Sequence, residues 1–342
     1  MYPTKIINDP IYGFIKINNP LILELIDHPY FQRLKRIKQL GLAEFVYPGA
    51  HHTRFHHALG AMHLMDQVLD NLKAKGYSIS TEEREAAEIA ILLHDIGHGP
   101  FSHVLEYTLL NEVKHEDVST LLMAKLNQHF KGKLSLAIEI FENKYPRKFF
   151  HQLVSSQLDV DRLDYLSRDS FYTGVREGFI GSERLLSMMD LNNEQLVIEE
   201  KGIYSTENFL MARRLMYWQV YLHKTAIAAE TMLIQILRRA KFLISEGQKL
   251  HCSSPLKTFL KSTYTWEEFS TKESLLIAFT ELDDHDVWAA IKEWKNASDK
   301  ILKHLCTHFL ARKLFTCKLG SQPIPKAKRV EIEEHIKREY GI

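Results

Sequence analysis

The sequence predicts a mainly α-helical fold carrying one or two small β-hairpins, and three observations lead there. Glycine and proline are scarce, at 15 and 10 in 342 residues, below the roughly 7% and 5% of average chains. Apolar residues recur at helical spacing through most of the length. Helix-start signals also precede apolar runs, as where Ser80 is followed three residues later by Glu83.

Taken in order, residues 5–17 alternate loosely around Asn8-Asp9-Pro10 and Gly13, which predicts a short strand or hairpin. Ile22, Leu25, Ile26, Phe31, Leu34, Ile37 and Leu40 fit a helical stretch over 21–41, interrupted near Pro29 and stopped at Gly41. A loop through Pro48-Gly49 leads to a helix over 54–75. Ser80 and Glu83 open the next helix, through Ala86, Ala90 and Leu93, which should end near Gly97. After Gly99-Pro100 another helix should begin at Phe101. Helical patterns continue at 116–130, 134–143 and 149–168. Residues 195–205 read as a hairpin, with Leu196-Val197-Ile198 and Ile203-Tyr204 flanking Lys201-Gly202. One long helix is expected over 206–246, and helix again until Cys317. Pro323 and Pro325 link to a charged ending over 326–342 that reads as a tail or a truncated further element.

Composition removes several functional classes. Lys plus Arg is 44 against 43 for Asp plus Glu, a net charge of +1, which argues against a protein that coats polyanions. An apolar fraction of 45% excludes bulk disorder. No apolar run approaches the roughly 18 residues of a membrane span, and the N-terminus lacks a signal-peptide pattern. Cys252, Cys306 and Cys317 are odd in number and far apart, so they read as reduced thiols in a cytoplasmic protein.

Histidine is the exception. Of 18 copies, nine (His51, His52, His56, His57, His63, His94, His98, His103 and His115) fall between positions 51 and 115. That clustering raises metal or phosphate chemistry. Adjacent His94 and Asp95 would point about 100° apart within a helix; at a frayed helix end before Gly97 they can converge. Imidazole nitrogen with carboxylate oxygen suits a divalent ion such as Mn, Fe, Ni, Co or Zn.

Three blocks carry a resemblance: Arg54-Phe55-His56-His57-Ala58-Leu59-Gly60, then 92–103 around His94-Asp95-Ile96-Gly97-His98, then 158–169 around Asp159-Val160-Asp161-Arg162. Together they resemble the HD-domain phosphohydrolase superfamily, and within it the deoxynucleoside triphosphate triphosphohydrolases, the branch of dGTPase-like and sterile-alpha-motif/HD enzymes. The similarity starts at Asn8-Asp9-Pro10 and runs through Tyr221-Leu222-His223-Lys224, about two thirds of the chain. It implies an HD-domain helical core with an additional helical lobe. Its divisions would be an N-terminal hairpin and helix over 1–48, the metal-binding core over 49–175, a helical lobe over 176–322, and a linker and tail over 323–342.

The resemblance also implies roles. His57, His94, Asp95 and Asp161 would ligate a divalent ion (Mn, Mg, Fe, Ni, Co or Zn). His98, His103 and His115 would line the phosphate and leaving-group side, with His103 as the acid oriented by Glu106. The family usually has Asp at that position. Arg54 and Arg162 would meet phosphates. Asp161, Tyr165 and Asp169 share one helix face at i, i+4, i+8, and Arg213, Tyr217 and Tyr221 repeat that spacing later. In the resembled enzymes such residues, with Gln39 and Leu40, surround the sugar and phosphates. His51, His52 and His63 fall to structure or surface. An effector site for a guanine nucleotide at a subunit interface would use Lys5, Asp27, Gln32 and Lys35, though Lys35 replaces an arginine.

The leading expectation is a metal-dependent hydrolase that splits dNTPs into deoxynucleoside and inorganic triphosphate, assembled as a homodimer or homotetramer. The alternatives are an HD-type nucleotide phosphomonoesterase or phosphodiesterase, and a nucleic-acid-binding protein with a vestigial site. The near-zero net charge disfavours the last.

Overall fold

The computed structural model describes residues 4–101, 104, 108, 113–317 and 323–340. Among these there are 17 helices and two two-stranded antiparallel sheets. β1 (Lys5–Asp9) pairs with β2 (Gly13–Ile17), Ile7 opposite Ile15. Asp9 closes this hairpin by accepting from the Ile11 and Tyr12 amides at 2.9 and 3.1 Å.

The expected 21–41 stretch is broken more than Pro29 alone requires. α1 (Pro20–Asp27) is capped by Asn19, and His28 then caps the short α2 (Pro29–Gln32) through its own ring nitrogen. A 3-10 turn follows at Arg33–Arg36, and the chain is extended by Lys38, which bridges to Thr53. Side chains that hydrogen-bond to nearby backbone compete with helix propagation, as Asn19 and His28 do here.

α3 (Arg54–Ala74) starts at Thr53, whose amide donates to the Nδ1 of His56 at 3.2 Å, so histidine fills the position usually held by Glu or Gln. α4 (Thr81–Leu93) carries the expected reciprocal cap: Ser80 N donates to Glu83 at 2.8 Å and Glu83 N to Ser80 Oγ at 3.1 Å. Ile89 to Leu93 are all fully buried. A helix apolar on every side belongs in the core, so what lies at its end is held rigidly.

α5 (His115–His129) and α6 (Ser135–Phe141) follow. The helix expected at Phe101 falls largely outside the described residues. The single helix expected over 149–168 is two, α7 (Lys148–Val154) and α8 (Val160–Thr173). Asp159 separates them, its carboxylate accepting from the Ser156 and Arg162 amides at 2.6 and 2.8 Å. α8 stops at Gly174, where φ is +74° and a side chain would be strained.

α9 (Ser182–Met188) leads into the second hairpin, which lies earlier than expected. β3 (Met189–Asn192) pairs with β4 (Gln195–Ile198) around Asn193 and Glu194, both at positive φ. Two left-handed residues match the twist of a two-residue hairpin loop. Ile203-Tyr204 instead opens α10 (Ile203–Met216). The expected long helix is likewise interrupted: a π-helical turn at Tyr217–Tyr221 precedes α11 (Lys224–Ser245), capped by His223.

α12 (Ser254–Lys261), α13 (Trp266–Thr271), α14 (Glu273–Glu281), α15 (Asp284–Trp294) and α16 (Lys300–Leu310) complete the packed helices. α17 (Lys326–Tyr340) makes the charged ending helical, and its described side chains are exposed. One continuous apolar core runs from Ile15 to Phe309. No helix among the described residues is long and apolar enough to cross a membrane.

Candidate metal centre and adjoining pocket

α4 ends at Leu93, and His94 and Asp95 occupy the turn beyond it, the frayed end that lets both side chains converge. Ser119 of α5 fixes that turn. Its hydroxyl donates to the His94 carbonyl at 2.8 Å and accepts from the Gly97 amide at 2.9 Å. Gly97 has no room for a side chain, since a Cβ would lie 2.2 Å from the His115 carbonyl and 2.3 Å from the Ser119 nitrogen.

His57 comes from α3 and Asp161 from the first turn of α8. His57, His94 and Asp161 offer ligand atoms within 4.8 Å of one another. The His57 Nε2 lies 3.1 Å from Asp161 Oδ1 and 3.3 Å from His94 Nε2. Asp95 stands beside them, Oδ1 3.3 Å from His94 Nε2 and Oδ2 3.8 Å from His57 Nε2, while also accepting from Arg54.

The other ring nitrogens are already engaged. His57 Nδ1 donates to Asp164 at 2.7 Å and His94 Nδ1 donates to the Ile91 carbonyl at 2.6 Å. That leaves both Nε2 atoms for a ligand, the usual support of a metal-binding histidine. The electrostatics agree. Burial opposes charge on His57, yet hydrogen bonds donated to Asp161 and Asp164 outweigh it and raise the imidazole to about 10. On Asp161, burial pushes up and His57 and His94 prevail in pushing down. A cluster that favours positive charge at its centre, with two imidazoles and carboxylates, fits a divalent cation.

Asp164 is in turn held by Arg168, which donates to it from Nε at 3.0 Å and Nη2 at 2.9 Å, and to Asp9 of the first hairpin at 2.8 Å. Arg168 and Asp164 are both fully buried. Gly60 makes space for this pair: a Cβ there would meet Asp164 Oδ1 at 2.0 Å and Arg168 Nη2 at 2.2 Å.

His98 and His115 stack at 3.8 Å between centroids beside the cluster, His98 Nε2 lying 3.4 Å from Asp95 Oδ1. Burial and the neighbouring Arg54 lower His98 to about 3 despite Asp95, so it is neutral near pH 7. His103 and Glu106 lie outside the described residues. Arg162 is turned back onto Asp159.

The two rows read as helix faces meet one another. Tyr221 donates to Asp169 Oδ2 at 2.7 Å, Tyr165 lies 6.1 Å from Tyr221 and 6.5 Å from His57 between ring centroids, and Tyr217 lies 5.1 Å from Tyr221. Burial, followed by Asp161, raises Tyr165, so its hydroxyl keeps its proton. Arg213 reaches Gln157 at 3.4 Å with its guanidinium over Tyr217. Leu40 packs on the core and Gln39 donates its amide to the His52 carbonyl at 3.0 Å. The effector candidates sit apart: Lys5 and Asp27 are exposed, Gln32 donates to the Ile26 carbonyl at 2.7 Å, and Lys35 lies over the Phe55 ring at 4.6 Å.

Sequence reading missed three supports of this site: Asp164, Arg168 and Ser119. Only the first two carried a signal, since Asp164 and Arg168 are four apart on a helix and oppositely charged.

The HD domain family matches residues 54–169, and the HD associated region matches 180–250. The chain is 35% identical to the uncharacterized protein YwfO of Bacillus subtilis over 91% of this chain and 71% of that protein. It is 32% identical to a deoxynucleoside triphosphate triphosphohydrolase SAMHD1 homolog of Dictyostelium discoideum over 72% of this chain, spanning 51% of that protein. Its fold is similar to the crystal structure of a phosphohydrolase from Bacteroides thetaiotaomicron, with a TM-score of 0.97 and 53% identity over 99% of this chain and 84% of that one.

Proposed function

This chain belongs to the HD-domain phosphohydrolases, in their SAMHD1-like branch, and from that premise we propose that it hydrolyses deoxynucleoside triphosphates to deoxynucleoside and inorganic triphosphate. The observation that carries the reading is the juxtaposition of the His57–His94–Asp161 cluster with the contacting side chains of Tyr165, Asp169 and Tyr221. The cluster suits phosphorus chemistry, and aromatic rings beside a carboxylate suit a sugar next to it. The similarity to a SAMHD1 homolog supports a nucleotide as the substrate class.

A divalent ion held by His57, His94, Asp95 and Asp161 would activate water and offset charge on phosphoryl oxygens. The protein's own groups do the rest. His98, neutral and beside Asp95, offers a ring N–H to an α-phosphate oxygen, and His115 stacks on it to fix its plane. Arg54, tied to Asp95, places positive charge at the same edge. His103 would protonate the leaving oxygen. Tyr165 and Tyr221 would present their rings to the sugar, with the Tyr221 hydroxyl committed to Asp169. Close packing there rejects a ribose, because an additional buried hydroxyl without a partner costs about 1–3 kcal/mol.

Each of the four dNTPs, alone and with added GTP or a second dNTP, should be incubated with Mn or Mg, with Asp161→Ala as control. Triphosphate with deoxynucleoside, lost in the variant, is the expected result, and the GTP arm reads whether an effector is required. Orthophosphate or a monophosphate as product would favour an HD-type phosphomonoesterase or phosphodiesterase. No turnover in any mixture would sink the reading.

A further inference from the structure

We propose that His52 is a positioning residue that acts through Asp169 to aim the hydrogen-bond acceptors of the sugar pocket, an inference that rests on the hydrolase reading above. His52 precedes α3 and is 1% exposed. Its Nε2 donates to Asp169 Oδ1 at 2.7 Å, while Tyr221 donates to Oδ2 at 2.7 Å. The carboxylate is therefore gripped from both sides by groups 117 and 52 positions away in sequence. A buried carboxylate without donors tends to neutralise or turn away. With a donor on each oxygen, its remaining lone pairs keep a fixed direction.

His52 is itself locked. Its ring stacks on Tyr172 at 4.5 Å and 17°, and its carbonyl accepts from the Gln39 amide at 3.0 Å. One residue thus sets both the Asp169 carboxylate and the Gln39 backbone. The other ring nitrogen, His52 Nδ1, is buried without a hydrogen-bond partner. Buried orphans are rare enough to call for a reason. His52 tolerates a bare Nδ1 because its tautomer is dictated by Asp169. The remaining Asp169 lone pairs are acceptors only, so they select a ligand group that donates. In a deoxyribose whose 5′ oxygen carries phosphate, the sole such sugar group is the remaining hydroxyl.

The test uses the full chain with Mn and the dNTP it turns over best, against the matching 2′,3′-dideoxy analogue. His52→Phe keeps the stacking and loses the donor; His52→Gln loses the stacking and keeps a donor. His52→Phe should raise KM by at least roughly tenfold, as expected for losing a hydrogen bond to a charged group, and should abolish the preference for the dNTP over the dideoxy analogue. His52→Gln should restore most of both. Tyr221→Phe, which removes the opposite donor, should reproduce the lost preference and serves if His52→Phe does not fold. A packing role predicts the reverse order, with Phe benign and Gln harmful. That order, or an undiminished preference in both His52→Phe and Tyr221→Phe, overturns the inference while wild-type turnover keeps the hydrolase reading. A wild-type chain that turns over no nucleotide overturns both.

Discussion

Replacing Gly60 by alanine is the sharpest test of how the metal cluster is supported. In an isolated helix this substitution should stabilise by about 1 kcal/mol, because glycine carries more backbone entropy into the folded state. Here the added Cβ would lie 2.0 Å from Asp164 Oδ1, 2.2 Å from Arg168 Nη2 and 2.9 Å from Asp164 Cγ. Relieving those contacts takes about 1 Å of movement in either α3 or the ion pair. α3 has little freedom, since Ala58, Leu59 and Ala61 on either side are buried. The Asp164–Arg168 pair must therefore open. Opening a fully buried pair costs about 3–5 kcal/mol, which outweighs the propensity gain and leaves a net loss of roughly 2–4 kcal/mol. A second consequence follows through His57, whose Nδ1 donates to Asp164. Losing that support should weaken divalent-ion binding by about 10–100-fold. Guanidinium denaturation and Mn titration calorimetry on wild type and Gly60→Ala read the two effects separately. A variant as stable as wild type, or more stable by the helix-propensity increment, with unchanged Mn affinity, would refute the reasoning.

Three further outcomes are expected. Mn at 100 times its Kd should stabilise the chain by about 2.7 kcal/mol, an increment removed by chelation and absent in Asp161→Ala; scanning calorimetry with and without Mn measures it. Ser119→Ala should cost about 1–3 kcal/mol, since it strips partners from the Gly97 amide and the His94 carbonyl; equal denaturation midpoints would contradict this. Burial raises the Asp284 carboxyl to about 6 even though the Lys38 and Phe101 amides donate to it. The folded state thus binds that proton more tightly than the unfolded chain, whose pKa is near 4, so the contribution is present at low pH and lost as pH rises through about 6. Wild-type stability relative to Asp284→Asn should fall by about 2–3 kcal/mol between pH 4 and 7, and a difference flat across that range would show the charge is not buried as the structure places it.

Much of the fold was legible because it is decided locally. Ser80 and Glu83 satisfy the first amides of α4 within one turn, whereas the turn at which His94 and Asp95 converge is fixed from outside by Ser119 of α5. The start of α3 at Arg54 and the hairpin around Asp9 are likewise settled by neighbouring residues. Where local reading failed, side chains rather than periodicity set the boundary. Asp159 divides one expected helix and His223 caps another, and both occupy positions that helical spacing alone would accept. Asn193 and Glu194 took the hairpin turn that Lys201-Gly202 advertised.

The candidate site divides in the same way. His57, His94, Asp95 and Asp161 could be named from sequence because their residue types and the blocks around them carry a resemblance. The groups that hold them could not. Asp164 meets His57 across 107 positions, Arg168 meets Asp9 across 159, and His52 meets Asp169 across 117. A histidine before a helix and an aspartate inside another look the same in sequence whether they face water or each other. Their pairing acquires its strength only when the tertiary structure removes both from solvent, because a charge-assisted hydrogen bond that competes with water is worth little and one in a dry interior is worth several times more. The candidate ligands were therefore legible in the sequence, and the rigidity of their cluster is a property of the packed helices.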